Sequence, residues 1–133
     1  MTEVITGHLL TPAGFLRGSL SVRDGRIQGL EGVPVDEADV LASELSIVLP
    51  GFIDLHVHGG AGRDTMEGGD AVAAIARAHA QHGTTSLAAT TMTAPIDEIE
   101  TALRALAPAL AGRPDGAARV LGVHLEGPYI NPG

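Results

Sequence analysis

The stretch "PGFIDLHVHGG" (residues 50–60) decides how the chain is read. Side chains alternate across a β-strand, so an extended run from Phe52 to His58 sends Asp54, His56 and His58 to one face and Ile53, Leu55 and Val57 to the other. Three groups able to bind a metal then share a face. Burying such a face costs free energy unless each group is hydrogen-bonded or bound to a cation. Histidines two residues apart are separated by about 7 Å along the strand, yet their rings can turn onto one ion at about 2.0–2.1 Å. A pair of merely hydrogen-bonded histidines fits the same run.

Toward the C-terminus the pattern alternates. The glycine-rich loop "GGAGRDTMEGG" (59–69) leads into "DAVAAIARAHAQHG" (70–83), which predicts a helix with Asp70 as its cap, Val72, Ile75 and Ala76 on its apolar side and Gly83 as its stop. "TTSLAATTM" (84–92) predicts a second strand. "PIDEIETALRALAPALAG" (95–112) predicts a second helix, with Pro95 near its start, acidic residues in its first turn and a break or kink at Pro108. "ARVLGVHLEG" (118–127) predicts a third strand, on which His124 and Glu126 share a face just before a glycine. Strand, helix, strand, helix, strand at this spacing argues for parallel βα units with right-handed crossovers. Polar groups then gather at the C-terminal ends of the strands, the end at which (β/α) barrels carry their active sites.

On the N-terminal side, residues 1–48 alternate short apolar runs with turn residues, and Asp24-Gly25 between "LSVR" and "RIQGL" is a hairpin signal. The chain is therefore read as α/β, with a small antiparallel β domain at 1–48 and parallel βα units, three strands and two helices, at 49–133.

Composition narrows the function. The 133 residues are 44% apolar, enough for a core, but only 2% aromatic, so stacking platforms for bases or sugars are nearly absent. Eight arginines and no lysine stand against 16 acidic residues, and the net charge of −8 disfavours nucleic acid and anionic membrane as partners. With no cysteine, disulfides and thiolate metal sites are excluded, and any metal is held by nitrogen and oxygen. "MTEVITGHLLTPAG" (1–14) has neither a basic leader nor a long apolar run, so a cytoplasmic location is expected.

"PGFIDLHVHG", "GTTS" (83–86) and "HLEGPYINP" (124–132), in this order, resemble the N-terminal part of the N-acetylglucosamine-6-phosphate deacetylase family within the amidohydrolase superfamily. The first motif is shared widely across amidohydrolases; "HLEGP" is more specific. The resemblance implies that His56, His58 and Glu126 bind one or two divalent ions (zinc, iron, manganese or cobalt). It gives Asp54 and His124 supporting or pocket-lining roles, and it implies a small β-sandwich-like domain at 1–48 and the first units of a TIM-like (β/α)8 barrel at 49–133, incomplete here because a whole barrel takes about 250 residues. It also implies a small-molecule substrate, an amino-sugar phosphate whose acetyl group is hydrolysed off, and a homodimer at full length. Two further metal-binding histidines and the acid/base aspartate of the family fall after Gly133, so the chain is expected to be the front third of an enzyme and inactive alone. Two other readings are an amidohydrolase of a cyclic amide or another N-acyl compound, and a non-catalytic interaction fragment.

Other polar residues carry weaker expectations. His79 and His82 near a helix C-terminus are expected to face solvent or terminal carbonyls, Arg63 to form a surface ion pair, and His8 has no evident partner. Thr84, Thr85, Ser86, Thr90 and Thr91 are read as strand formers rather than nucleophiles, since no histidine–acid relay stands beside them. "HGGAG" is only a loose match to a phosphate-cradling loop.

Overall fold

The computed structural model of the chain describes residues 1–131, so Pro132 of the "HLEGPYINP" motif lies outside the described residues. The chain divides into two compact units, Met1–Pro50 and Gly51–Gly133.

In the first unit, β1 (Thr2–Thr11), β2 (Gly14–Arg23) and β3 (Arg26–Val35) form an antiparallel meander, followed by a short helix α1 (Glu37–Leu41) and a two-residue strand β4 (Ile47–Val48). Asp24 and Gly25 turn β2 into β3 with φ of 52° and 70°, the left-handed pair that a two-residue hairpin requires. The sheet order is β3-β2-β1-β4, and β4 pairs with β1 in parallel through His8 and Leu9. The sheet is thus mixed where the turn pattern predicts a purely antiparallel one. α1 is likewise absent from the turn pattern; its first turn carries Glu37 and Asp39, favourable against the positive end of a helix dipole.

The second unit is α/β. Its parallel sheet has the order β5-β8-β9, from β5 (Phe52–Val57), β8 (Thr84–Thr90) and β9 (Arg119–His124). α2 (Asp70–Ala80) follows a small hairpin of β6 (Gly59–Gly60) and β7 (Arg63–Asp64) and a 3-10 turn at Thr65–Glu67; α3 (Ile96–Ala111) links β8 to β9. Val57, Leu87, Ala89 and Val120 from the strands pack with Val72, Ile75 and Ala76 of α2 and Leu106 of α3 in one core. Each large aliphatic side chain buried in this way contributes about 1.5–3 kcal/mol before entropy is counted.

Two helix expectations need correction. The N-cap of α2 is Gly69, at φ 49° and ψ −126°, and Asp70 is the first helical residue, so its carboxylate serves the helix dipole and not a cap bond. α3 also runs through Pro108 to Ala111. Proline there removes one helical hydrogen bond close to the helix end, and the fully buried Leu106 anchors the same turn to the core.

The hairpin explains why the histidines are followed by glycines. Gly59 pairs with Asp64 and Gly60 with Arg63, and Ala61 and Gly62 turn the chain at φ of 53° and 73°. His79 of α2 lies against this hairpin, its Nε2 3.0 Å from the Gly59 carbonyl. A Cβ on Gly60 would stand 3.2 Å from that same nitrogen, so only glycine lets the ring approach without adjustment. No helix among the described residues is long and apolar enough to cross a membrane.

Candidate metal centre

β5 and β9 lie on either side of β8, so their backbones are about 9–10 Å apart at the usual strand spacing. Side chains reaching inward from both can still meet over the end of the central strand. His56 is the penultimate residue of β5, His58 lies just past its end, and Glu126 stands two residues beyond β9. His56 Nε2 is 3.0 Å from His58 Nε2 and 3.1 Å from Glu126 Oε2; His58 Nε2 is 3.4 Å from the same oxygen.

Donors held at about 2.0–2.1 Å from one cation are separated by about 2.9–3.4 Å when the angles between them run from octahedral to tetrahedral. The three observed separations fall in that interval, so two imidazoles and one carboxylate fit a single divalent ion with three donors on one side. All three side chains keep some exposure. Nitrogen and oxygen donors of this kind suit zinc, iron, manganese or cobalt.

His124 Nδ1 donates to the Leu55 carbonyl at 3.1 Å, and its ring meets the His56 ring edge-on, with centroids 4.6 Å apart. Asp54 acts differently from a carboxylate that orients a ligand ring: its Oδ1 accepts the backbone N–H of His56 at 3.1 Å. The buried Nδ1 of His58 makes no hydrogen bond among the described residues. Asp54 and His124 therefore both adjoin the cluster, one through backbone and one through a ring contact.

The remaining candidates stand apart from the three donors. Arg63 pairs with Glu67 at 2.8 Å, as expected of a surface ion pair. Glu67 also accepts the Asp64 N–H at 2.7 Å, and this backbone bond first, the Arg63 bond second, holds its carboxyl below the ordinary glutamate value. His79 serves the hairpin, and His82 is exposed. His8 is buried in the first unit, with no hydrogen bond to either ring nitrogen among the described residues.

Thr65, Thr90 and Thr91 make contacts that strand-forming propensity does not reveal. All three are buried, and their hydroxyls bond to the backbone beside the three donors. The available signal was position: two threonines close the strand that lies between the two donor-bearing segments.

A parallel α/β sheet with a His-x-His and a glutamate converging at its C-terminal end defines a class, and the amidohydrolase family profile matches residues 47–133: the chain belongs to the amidohydrolase family. Within that family it is 39% identical, over 99% of its length, to the N-acetylgalactosamine-6-phosphate deacetylase of Escherichia coli O157:H7, of which it covers 35%. It is 38% identical, over 93% of its length, to the N-acetylglucosamine-6-phosphate deacetylase of Bos taurus, of which it covers 32%. The crystal structure of the N-acetylglucosamine-6-phosphate deacetylase from Pasteurella multocida matches 99% of this chain and 36% of that one, with a TM-score of 0.77 at 24% identity, a likeness of fold. The chain spans about a third of the length of the curated relatives it matches.

Proposed function

We propose that this protein is a metal-dependent hydrolase that removes the acetyl group from N-acetylglucosamine 6-phosphate, acting in amino-sugar breakdown in the cytoplasm, and that the 133 residues are its N-terminal portion. The observation that carries this reading is the triangle of His56, His58 and Glu126, whose spacing suits one ion, set in a chain similar over nearly its whole length to two sugar-phosphate deacetylases. In the proposed architecture residues 1–48 belong to a β-sandwich-like domain and residues 49–133 open a (β/α)8 barrel, and the complete protein is a homodimer. The apolar groove lined by Leu10, Leu20, Ile27, Leu30 and Val48 supports a sandwich, because such a face is suited to packing against another sheet.

His56 and His58 are the nitrogen ligands, each offering the lone pair of Nε2. Glu126 adds an oxygen ligand whose charge partly offsets that of a divalent cation. A bound ion supplies a water of lowered pKa and polarises the amide carbonyl. His124, anchored on Leu55, keeps the His56 ring from rotating away. Asp54 fixes the His56 backbone. The general acid that protonates the departing amine is assigned to none of the described residues, so residues 1–133 alone are expected to release no acetate.

Acetate release by the intact protein tests this. N-acetylglucosamine 6-phosphate should be hydrolysed in preference to a cyclic amide, with its galacto epimer as the comparison that the E. coli relative calls for. His56→Ala, His58→Ala and Glu126→Gln should each lower metal content and cost more than the roughly 10–100-fold typical of losing a ligand's supporting partner. Full hydrolysis after metal removal, or a faster reaction with the cyclic amide, would discard the reading.

A further inference from the structure

We propose that Thr65, Thr90 and Thr91 are positioning residues that set the His56–His58–Glu126 triangle, their hydroxyls replacing the backbone hydrogen bonds that the sheet ceases to supply at its C-terminal end. The proposal rests on the metal-site reading above. Val57 is the link between the two histidines. Its N–H donates to Thr90 Oγ1 at 2.9 Å, and its carbonyl accepts from Thr65 Oγ1 at 3.1 Å. The next carbonyl, that of His58, accepts the Thr65 N–H at 2.7 Å. The β5–β8 pairing shifts register between Asp54 and Val57 and resumes at Val57 opposite Ala89, so the hydroxyls satisfy the Val57 peptide groups at the end of an irregular ladder.

The other edge repeats the arrangement. β9 ends at His124, whose carbonyl accepts the Thr91 N–H at 3.1 Å. Glu126, past the end of the strand, donates its N–H to Thr91 Oγ1 at 2.9 Å, and its carbonyl accepts from that same hydroxyl at 3.1 Å. A hydroxyl can accept and donate at once, whereas a valine of nearly the same shape can do neither. Thr65, Thr90 and Thr91 are at most 1% exposed, so water has no ready access to substitute for a lost hydroxyl. Adjacent residues at the tip of the central strand therefore grip both donor-bearing edges, and the distance across the triangle depends on that grip.

Thr91→Val, Thr90→Val and Thr91→Ser in the intact protein test the assignment, with Thr84→Val at the opposite end of β8 as the control. Zinc affinity, measured by competition with a chelator, should fall about 10–100-fold in Thr91→Val, the usual cost of losing a ligand's supporting partner. It should be retained in Thr91→Ser and Thr84→Val. In metal-free protein the Glu126 amide should be protected from hydrogen exchange, and that protection should fall in Thr91→Val. A folded Thr91→Val that binds zinc like the parent, or a Thr91→Ser that loses as much as Thr91→Val, overturns the assignment. Should the valine variant not fold, fast exchange at Glu126 in the metal-free parent overturns it equally. A parent protein that binds no zinc, iron, manganese or cobalt instead removes the metal site itself, and this inference with it.

Discussion

In the first unit three ten-residue strands pair with one register shift between them, yet His8, Leu9 and Val40 are its only fully buried side chains among the described residues. In the second, strands of six and seven residues pair with several register shifts, yet ten buried residues form one core. The first sheet is held mainly by ladder hydrogen bonds between neighbours in sequence; the second by apolar burial between strands and helices distant in sequence. A ladder fixes the backbone wherever it continues. Packing tolerates a ladder that stops, and the donor cluster lies where the ladder stops. The irregular pairing of β5 ends at Val57, opposite Ala89, and there the Val57 N–H and carbonyl go to threonine hydroxyls.

The difference can be broken from its stronger side first. Leu87, fully buried on the central strand, should cost about 2–5 kcal/mol when changed to alanine, measured by urea unfolding, because the tightly packed surroundings collapse only in part. Gly25→Ala in the first unit should cost about 1 kcal/mol, since φ of 70° strains any residue with a Cβ. In the 133-residue chain, where this face is exposed, Ile27→Ala should change stability by about 0.5 kcal/mol or less. In the intact protein the proposed sandwich covers this face, so the same substitution should cost more there than in the 133-residue chain, and an equal loss in both would count against the sandwich.

The smallest expected effect is a pH dependence in the hairpin beside the cluster. The carboxyl of Glu67 is lowered by the Asp64 N–H and by Arg63, so its contribution is present above the unfolded-state value and is lost as pH falls through the lower folded-state value. Hydrogen exchange at the Asp64 amide should therefore quicken, beyond its intrinsic pH dependence, as pH falls below the ordinary glutamate range. Glu67→Gln should remove that additional acid sensitivity. An unchanged profile in the variant would show that the carboxylate does not hold the hairpin.

Periodicity made much of this legible. The strands around Leu87 and Val120 and the helices carrying Ile75 and Leu106 follow from hydrophobic spacing, because burial selects the same faces that the pattern marks; on β5 the apolar face is buried only at Val57, and Ile53 and Leu55 are exposed. Parity and strand ends marked Asp54, His56, His58, His124 and Glu126 as candidates; the choice of the two histidines and Glu126 among them came from the family resemblance. What escaped depends on partners far away in sequence. The parallel pairing of β4 with β1 is such a case, and so is the survival of α3 past Pro108, where core packing overrides a local breaker. His79 was expected among solvent or terminal carbonyls but holds the Gly59 carbonyl, a contact set by where α2 returns.

The amino-acid order alone determined which residues could be donors, the alternation that puts His56 and His58 on one side of a strand, and a charge and composition that disfavour nucleic acid and exclude thiolate chemistry. These follow from local geometry and from side-chain identity, which the chain carries wherever it goes. Only the tertiary structure decided that Glu126 comes within 3.1 Å of His56, and that threonines 65, 90 and 91 hold the peptides around them. A separation across three strands is a sum of pairing, twist and packing, and no spacing along the chain contains it.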